Sequence, residues 1–169
     1  RMLSKSRFSR RLHRIKPFFL TLFSMLGEHW KSLNEASIYS IDTFPIVACD
    51  NYRIPRAKLY QGEQYRGYQS SKKRYFYGLK LHLMVTQDGQ PVEFFLTPGN
   101  CFDGDGLHWF DFDLPEGAQV VGDKAYNNYL IEDVLDEAGI RLRPFRKKNS
   151  KRPVPAWFHY LQFHYRKMI

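Results

Sequence analysis

The sequence predicts an α/β domain built on one mixed sheet, and three observations carry that expectation. SIYSID at 37–42 is short and rich in β-branched residues, as a strand is. FYGLKLHLMVT at 76–86 alternates Leu79, Leu81, Leu83 and Val85 with Lys80, His82 and Met84, and Asp88-Gly89 then turns the chain back into VEFFLT at 92–97. Last, GAQVVGD at 117–123, a helical pattern over 127–138 and IRLRPF at 140–145 form a strand–helix–strand unit, the connection that joins parallel strands.

Taken in order, the chain opens on a basic stretch. Arg1 to Lys16 contains no carboxylate, and the first is Glu28. The basic start and short apolar run that follow have the outline of a signal peptide, but no small-residue cleavage site follows. Ile15, Phe19, Leu22, Phe23 and Leu26 fit one helical face instead, so residues 1–36 read as a basic helical segment ahead of the domain at 37–169. In the first strand, Ile38, Ser40 and Asp42 share a face by the two-residue period. Residues 43–74 read as a long interruption that carries Arg53, Arg56, Lys58, Arg66, Lys72, Lys73 and Arg74, with Tyr52, Tyr60, Tyr65 and Tyr68 among them.

In the helix over 127–138, Leu130, Ile131, Val134, Leu135 and Ala138 are expected to face inward. Glu132, Asp133, Asp136 and Glu137 should face out, and Gly139 should stop the helix. RKKNSKR at 146–152 is a compact cationic loop containing Arg146, Lys147, Lys148, Lys151 and Arg152. Pro155 then opens a last helix with Trp157, Leu161, His164 and Met168 on one face.

Composition narrows the function classes. With 17% aromatic and 43% hydrophobic residues the chain can build a core. Lys and Arg number 26 against 17 Asp and Glu, a formal charge of +9, which favours a polyanionic partner, nucleic acid first. Basic residues interleaved with aromatics suit phosphate contact plus base stacking, although any one lysine among them is also an ordinary solvated side chain. Cys49 and Cys101 make neither a disulfide framework nor a zinc spacing, so a reducing, cytoplasmic setting is expected. No apolar run approaches the ~20 residues that span a membrane.

The chemistry centres on two carboxylates that end predicted strands, Asp42 and Asp123. If the first and fourth strands are parallel neighbours, their carboxyl ends come together, where α/β sheets place ligands. Facing carboxylates repel unless a cation neutralises them. Mg²⁺, or Mn²⁺, suits such a pair because it accepts few carboxylates, keeps waters and takes phosphate oxygens. The alternative is that each Asp is turn or cap chemistry. Other motifs fail. Asp103 and Asp105 begin like a calcium loop but Leu107 breaks it, and His159 and His164 are too far apart for a metalloprotease pair.

SIDTFPI, YGLKLHLMV, TPGNCFDGDGL and VVGDKAYNN, in a βββαβα order, resemble the insertion-sequence DDE transposases, whose catalytic domain has the ribonuclease-H-like fold. The resemblance implies a mixed sheet, three antiparallel strands followed by parallel ones, flanked by helices. It implies two Mg²⁺ (or Mn²⁺) ions held by Asp, Asp and Glu, with Asp42 as the first carboxylate. Asp123 is the second, in the Gly122-Asp123-Lys124-Ala125-Tyr126 match. It also implies DNA as partner, both element terminal repeats and target DNA, and a homodimer in the transposition complex. Asn100 and Asp103 either support the site or shape a turn, the turn being favoured. His82 and Lys80 are expected to be solvated face residues beside Asp42.

The third carboxylate departs from the pattern Tyr-x2-Arg-x3-Glu. Phe163 stands at its Tyr and Arg166 at its Arg, the Glu falls one residue past Ile169, and no Asp or Glu follows Glu137. Arg166 is then a candidate DNA or carboxylate partner. With Arg1 in place of an initiating Met, the expectation is a transposase piece cut at both ends and inactive alone. Two other readings compete: a non-catalytic DNA-binding remnant, and a nuclease of the same fold.

Overall fold

The computed structural model describes residues 4–152 and Phe158. The expected last helix from Pro155, and Arg166 with it, lie outside the described residues.

Helix α1 (Lys5–Leu33) leads into β1 (Ile38–Asp50), followed by β2 (Arg66–Gln69), β3 (Arg74–Thr86), β4 (Pro91–Pro98), β5 (Gln119–Gly122), α2 (Tyr129–Glu137) and β6 (Arg141–Pro144). They form one mixed sheet. β3 lies antiparallel to β1 on one side and to β2 and β4 on the other, while β1, β5 and β6 run parallel. This is the sheet that the ribonuclease-H-like expectation requires. The hairpin turn lies where Asp88-Gly89 places it: Gly89 takes φ 81° and donates its N–H to the Thr86 carbonyl at 3.0 Å.

Two elements differ from expectation. β1 runs on to Asp50 rather than stopping at 42, and β2 lies inside the segment read as an interruption. Pro45 disguised the first. β5 ends at Gly122, opposite Ile41, so beyond Asp42 the strand is paired with β3 alone among the described elements, a setting in which proline is tolerated. β2 is short, and its Arg66-Gly67-Tyr68-Gln69 has no apolar alternation to announce it.

The core lies on one face of the sheet. Tyr39 and Ile41 of β1, Met84 of β3 and Val120 of β5 pack with Leu107 and with Leu135 of α2. α1 reaches the sheet at β4. Phe23 meets the Phe94 ring edge-on at 4.6 Å, and Gly27 lies so close to the Val92 carbonyl that a Cβ would stand 2.6 Å from it. The rest of its expected apolar face stays uncovered, with Phe19 53% and Leu22 51% exposed. No helix among the described residues is long and apolar enough to cross a membrane.

α2 is rotated from its expected orientation. Asn128 caps it, its side chain accepting the Ile131 N–H. Gly139 (φ 78°) closes it, with Gly139 N–H donating to Asp136 and Ile140 N–H to Leu135. Between these caps Glu132 is 5% exposed, while Leu130 and Val134 stand 71% and 57% exposed. The cause is Arg146. Its guanidinium donates to both Glu132 oxygens at 2.6 and 2.7 Å, a fork-to-fork pair that rewards turning the carboxylate inward. Arg152 adds bonds to Glu132 at 3.2 Å and to Asp133 at 2.7 Å.

Glu132→Ala strands the Arg146 guanidinium and is expected to cost about 3 kcal/mol of unfolding free energy, whereas Asp133→Ala, on the exposed side of the same cluster, costs about 1 kcal/mol or less. Urea denaturation of the two variants checks the order.

Candidate active site

The site is built where β1 and β5 run side by side. Ile38, Tyr39, Ser40 and Ile41 pair in parallel register with Gln119, Val120, Val121 and Gly122. One step further stand Asp42 and Asp123, at the same level of neighbouring strands: Asp123 follows the end of β5 as expected, but Asp42 does not end its strand, because β1 continues to Asp50 paired with β3. Asp42 is half-buried and Asp123 exposed. The Asp42 carboxylate accepts the Thr43 N–H at 2.8 Å. Asp123 caps the 3₁₀ turn Lys124–Tyr126 by accepting the Lys124 N–H at 2.5 Å, so it does the turn work of the alternative reading while staying open to solvent.

Gly122 explains the rest of the motif. A Cβ there would stand 2.8 Å from the Tyr126 ring and 3.0 Å from Ile41, so glycine lets Tyr126 fold back over the strand end. Tyr126 is buried, and its hydroxyl shares a 2.8 Å hydrogen bond with Thr43, the residue after Asp42. The bond ties the exit of β5 to β1. Burial pushes the Tyr126 hydroxyl far up from ionisation; the Thr43 bond opposes this, and the charges of Asp42, Asp103 and Asp123 add to it. Three carboxylates thus act on one phenol.

His82 and Lys80 are not solvated, contrary to expectation. His82, opposite Thr43 on β3, is fully buried. Its Nε2 meets the Thr97 hydroxyl at 2.9 Å, its Nδ1 lies 3.3 Å from the Thr43 hydroxyl, and its ring stacks on Phe95 at 4.6 Å. The loop containing Asp103 makes the lid: a Cβ on Gly106 would stand 2.4 Å from His82 Nδ1, and one on Gly104 2.5 Å from the Ala125 carbonyl. Lys80 Nζ donates to the Cys101 carbonyl at 2.6 Å and to Asp103 at 2.8 Å, holding that loop down. Asn100 is exposed and shapes the approach through its N–H to the Gln64 carbonyl, 3.0 Å. The Thr97–His82–Thr43–Tyr126 chain is the part that sequence reasoning missed; the one available signal was an alternating strand with a histidine in a place compatible with either face.

The predicted cations divide. Arg146 and Arg152 are held by Glu132 and Asp133, Arg66 pairs with Glu63 at 3.6 Å, and Arg74 with Asp50 at 3.4 Å. Arg53 donates to the Tyr52 hydroxyl at 2.8 Å. Arg56, Lys58, Lys72, Lys73, Lys147, Lys148 and Lys151 are exposed.

Carboxylates such as Asp42 and Asp123 are the donor type of a hard cation that takes few carboxylates and keeps waters or phosphate oxygens. Among the described residues no group of three or more His, Cys, Asp or Glu is placed to hold a metal.

The transposase DDE domain family matches residues 33–169, and the chain belongs to that family. No curated protein matches it by sequence. A cryo-EM structure of the piggyBac transposase synaptic complex with hairpin DNA is similar to it, with 13% sequence identity and a TM-score of 0.45 over 69% of this chain. The match covers 24% of that chain, so this chain spans about a quarter of its length.

Two outcomes test the network. Tyr126→Phe is expected to cost about 1 kcal/mol in urea denaturation, the worth of one partly buried hydrogen bond. Burial lowers the His82 pKa from the ordinary 6.5, with Asp103 opposing and Lys80 adding to the shift. The unfolded chain therefore takes up this proton more readily than the folded one. The associated stability is fully present above pH 6.5 and is lost as the pH falls below it. His82→Gln should flatten that acid limb.

Proposed function

We propose that residues 37–169 are the catalytic module of a DNA transposase of a bacterial insertion sequence, working on phosphodiesters at element ends in the cytoplasm, with Asp42 and Asp123 as its described metal ligands. The observation that supports this reading is the β1–β5 register, whose last pair, Ile41 opposite Gly122, immediately precedes Asp42 and Asp123. When bound there, Mg²⁺ or Mn²⁺ supplies charge neutralisation at a phosphodiester and acidity to an attacking hydroxyl or water. The chain's own residues set the geometry. The Thr43 and Lys124 N–H groups bond the two carboxylates, and the Tyr126–Thr43 bond holds the exit of β5 against β1. Phosphodiester displacement depends on such positioning.

Arg56, Lys58, Lys72, Lys73, Lys147, Lys148 and Lys151 draw the DNA backbone without reading sequence. Arg53, Arg66 and Arg74 belong to the same surface. Arg146 and Arg152 act at one remove, by holding the 146–152 loop in shape. The resemblance implies a third carboxylate, and no Asp or Glu follows Glu137.

Calorimetric titration with Mn²⁺ is expected to show binding that weakens at least roughly tenfold in Asp42→Asn and in Asp123→Asn, since each removes a charged ligand. Unchanged titrations in both variants would sink the metal reading. For DNA, log affinity should fall linearly with log salt, and Lys147→Gln or Lys148→Gln should each lower the slope by ~0.9 on every sequence tried. A flat salt response would count against the surface.

A further inference from the structure

We propose that the far end of the sheet is a stacking platform for unpaired DNA bases, made by Tyr75 and Tyr68 with Arg66 as its cation. The proposal deepens the DNA-binding reading above and rests on it for the class of partner.

β2 and the start of β3 form a two-stranded ribbon in which Tyr68 stands opposite Tyr75. Each residue is 49% exposed, and the ring centroids lie 5.0 Å apart at 55°. The Arg66 guanidinium lies 4.5 Å over the Tyr75 ring. The ribbon is firmly seated. Phe76 is fully buried, and a Cβ on Gly67 would stand 2.4 Å from both the Phe76 ring and the Gly99 carbonyl. Two broad aromatic faces are thus held on a fixed backbone at the surface, where burial does not account for them.

The charge around the rings chooses the partner. Asp50 and Glu63, the nearby carboxylates, are already engaged by Arg74 and Arg66. Lys72 and Lys73 form the β2–β3 connection, with Lys73 at its left-handed position (φ 48°), and both are exposed. Arg56 and Lys58 follow the 72%-exposed Tyr52 in the adjoining segment. A cationic rim around aromatic faces draws phosphates to the rim and bases to the rings. Bases in a duplex keep their faces stacked on each other, so the rings are usable by an unpaired strand.

Position along the strand fits the same partner. Asp42 pairs with Leu83, and from there β3 alternates through Leu81, Leu79 and Tyr77 to Tyr75, so the platform shares a face with the carboxylate pair. The distance along β3 is roughly 27 Å at ~3.4 Å per residue. A strand with bases ~3.4 Å apart crosses it in about eight nucleotides.

Fluorescence anisotropy in EDTA, with labelled oligothymidylate about twelve nucleotides long and a blunt duplex of equal length, tests the idea on the full chain. Tyr75→Ala is expected to weaken single-strand binding roughly tenfold at an unchanged salt slope, to leave duplex binding within about twofold, and Tyr75→Phe to restore it. Tyr68→Ala repeats the measurement on the second ring, and circular dichroism of both variants reports folding. Single-strand affinity untouched in both alanine variants, equal losses on both DNAs, or no single-strand binding by the wild type while the duplex binds, overturns the platform. Failure of the wider DNA reading looks different: neither DNA binds at low salt, and Lys72→Gln and Lys73→Gln change nothing.

Discussion

The candidate site hangs on one register, Ile41 of β1 opposite Gly122 of β5. In a parallel pair this alignment sets the next residues, Asp42 within β1 and Asp123 just past β5, at the same height. Like charges brought to one place repel, so the alignment must be held by forces elsewhere. Two are visible. The buried pairs around Tyr39, Ile41 and Val120 fix the register, because a one-residue slip would turn that apolar set away from the core. Beyond the last pair, where the ladder stops, Tyr126 bends back over Gly122 to reach Thr43. Glycine at 122 is therefore a packing requirement of the tyrosine four residues later.

The charge distribution follows a related logic. A chain with 26 Lys and Arg against 17 Asp and Glu has cations to spare, and it uses them in two ways. Some are internal fasteners: Arg146 on Glu132, and Lys80 on Asp103 and the Cys101 carbonyl, each with a side chain 15% exposed or less. Others remain at the surface of the 51–74 region and of the 146–152 loop. The fasteners keep turns in place beside the carboxylate pair, and the surface set gives the molecule its long-range field.

Much of this was legible in the sequence. The β3–β4 hairpin, β5, β6 and the C-terminal stop of α2 followed from alternation, Asp88-Gly89 and Gly139, all local signals. The strand end expected at Asp123 holds, whereas the one expected at Asp42 does not, because β1 runs on to Asp50. What failed depended on partners distant in the chain. Glu132 and Asp133 look alike on a helical wheel, and only Arg146, fourteen residues beyond Glu132, turns Glu132 inward and Leu130 outward. His82 looked like a polar-face residue because the hydroxyls that satisfy it, Thr97 and Thr43, lie 15 and 39 positions away. β2 and the far half of β1 carry charges, glycine and proline, and pair because β3 offers its edges to them.

That last point has a consequence for how such a chain can change. β3 hydrogen-bonds with β1, β2 and β4 at once. A residue inserted within Arg74–Thr86 would reverse the facing of every side chain beyond it and misalign three partners together. The stretch at 57–62 lies outside every strand, and lengthening it costs only the slow logarithm of loop closure. Length variation among related chains should therefore collect ahead of β2 and avoid β3, whose thirteen residues behave as a fixed ruler for the sheet.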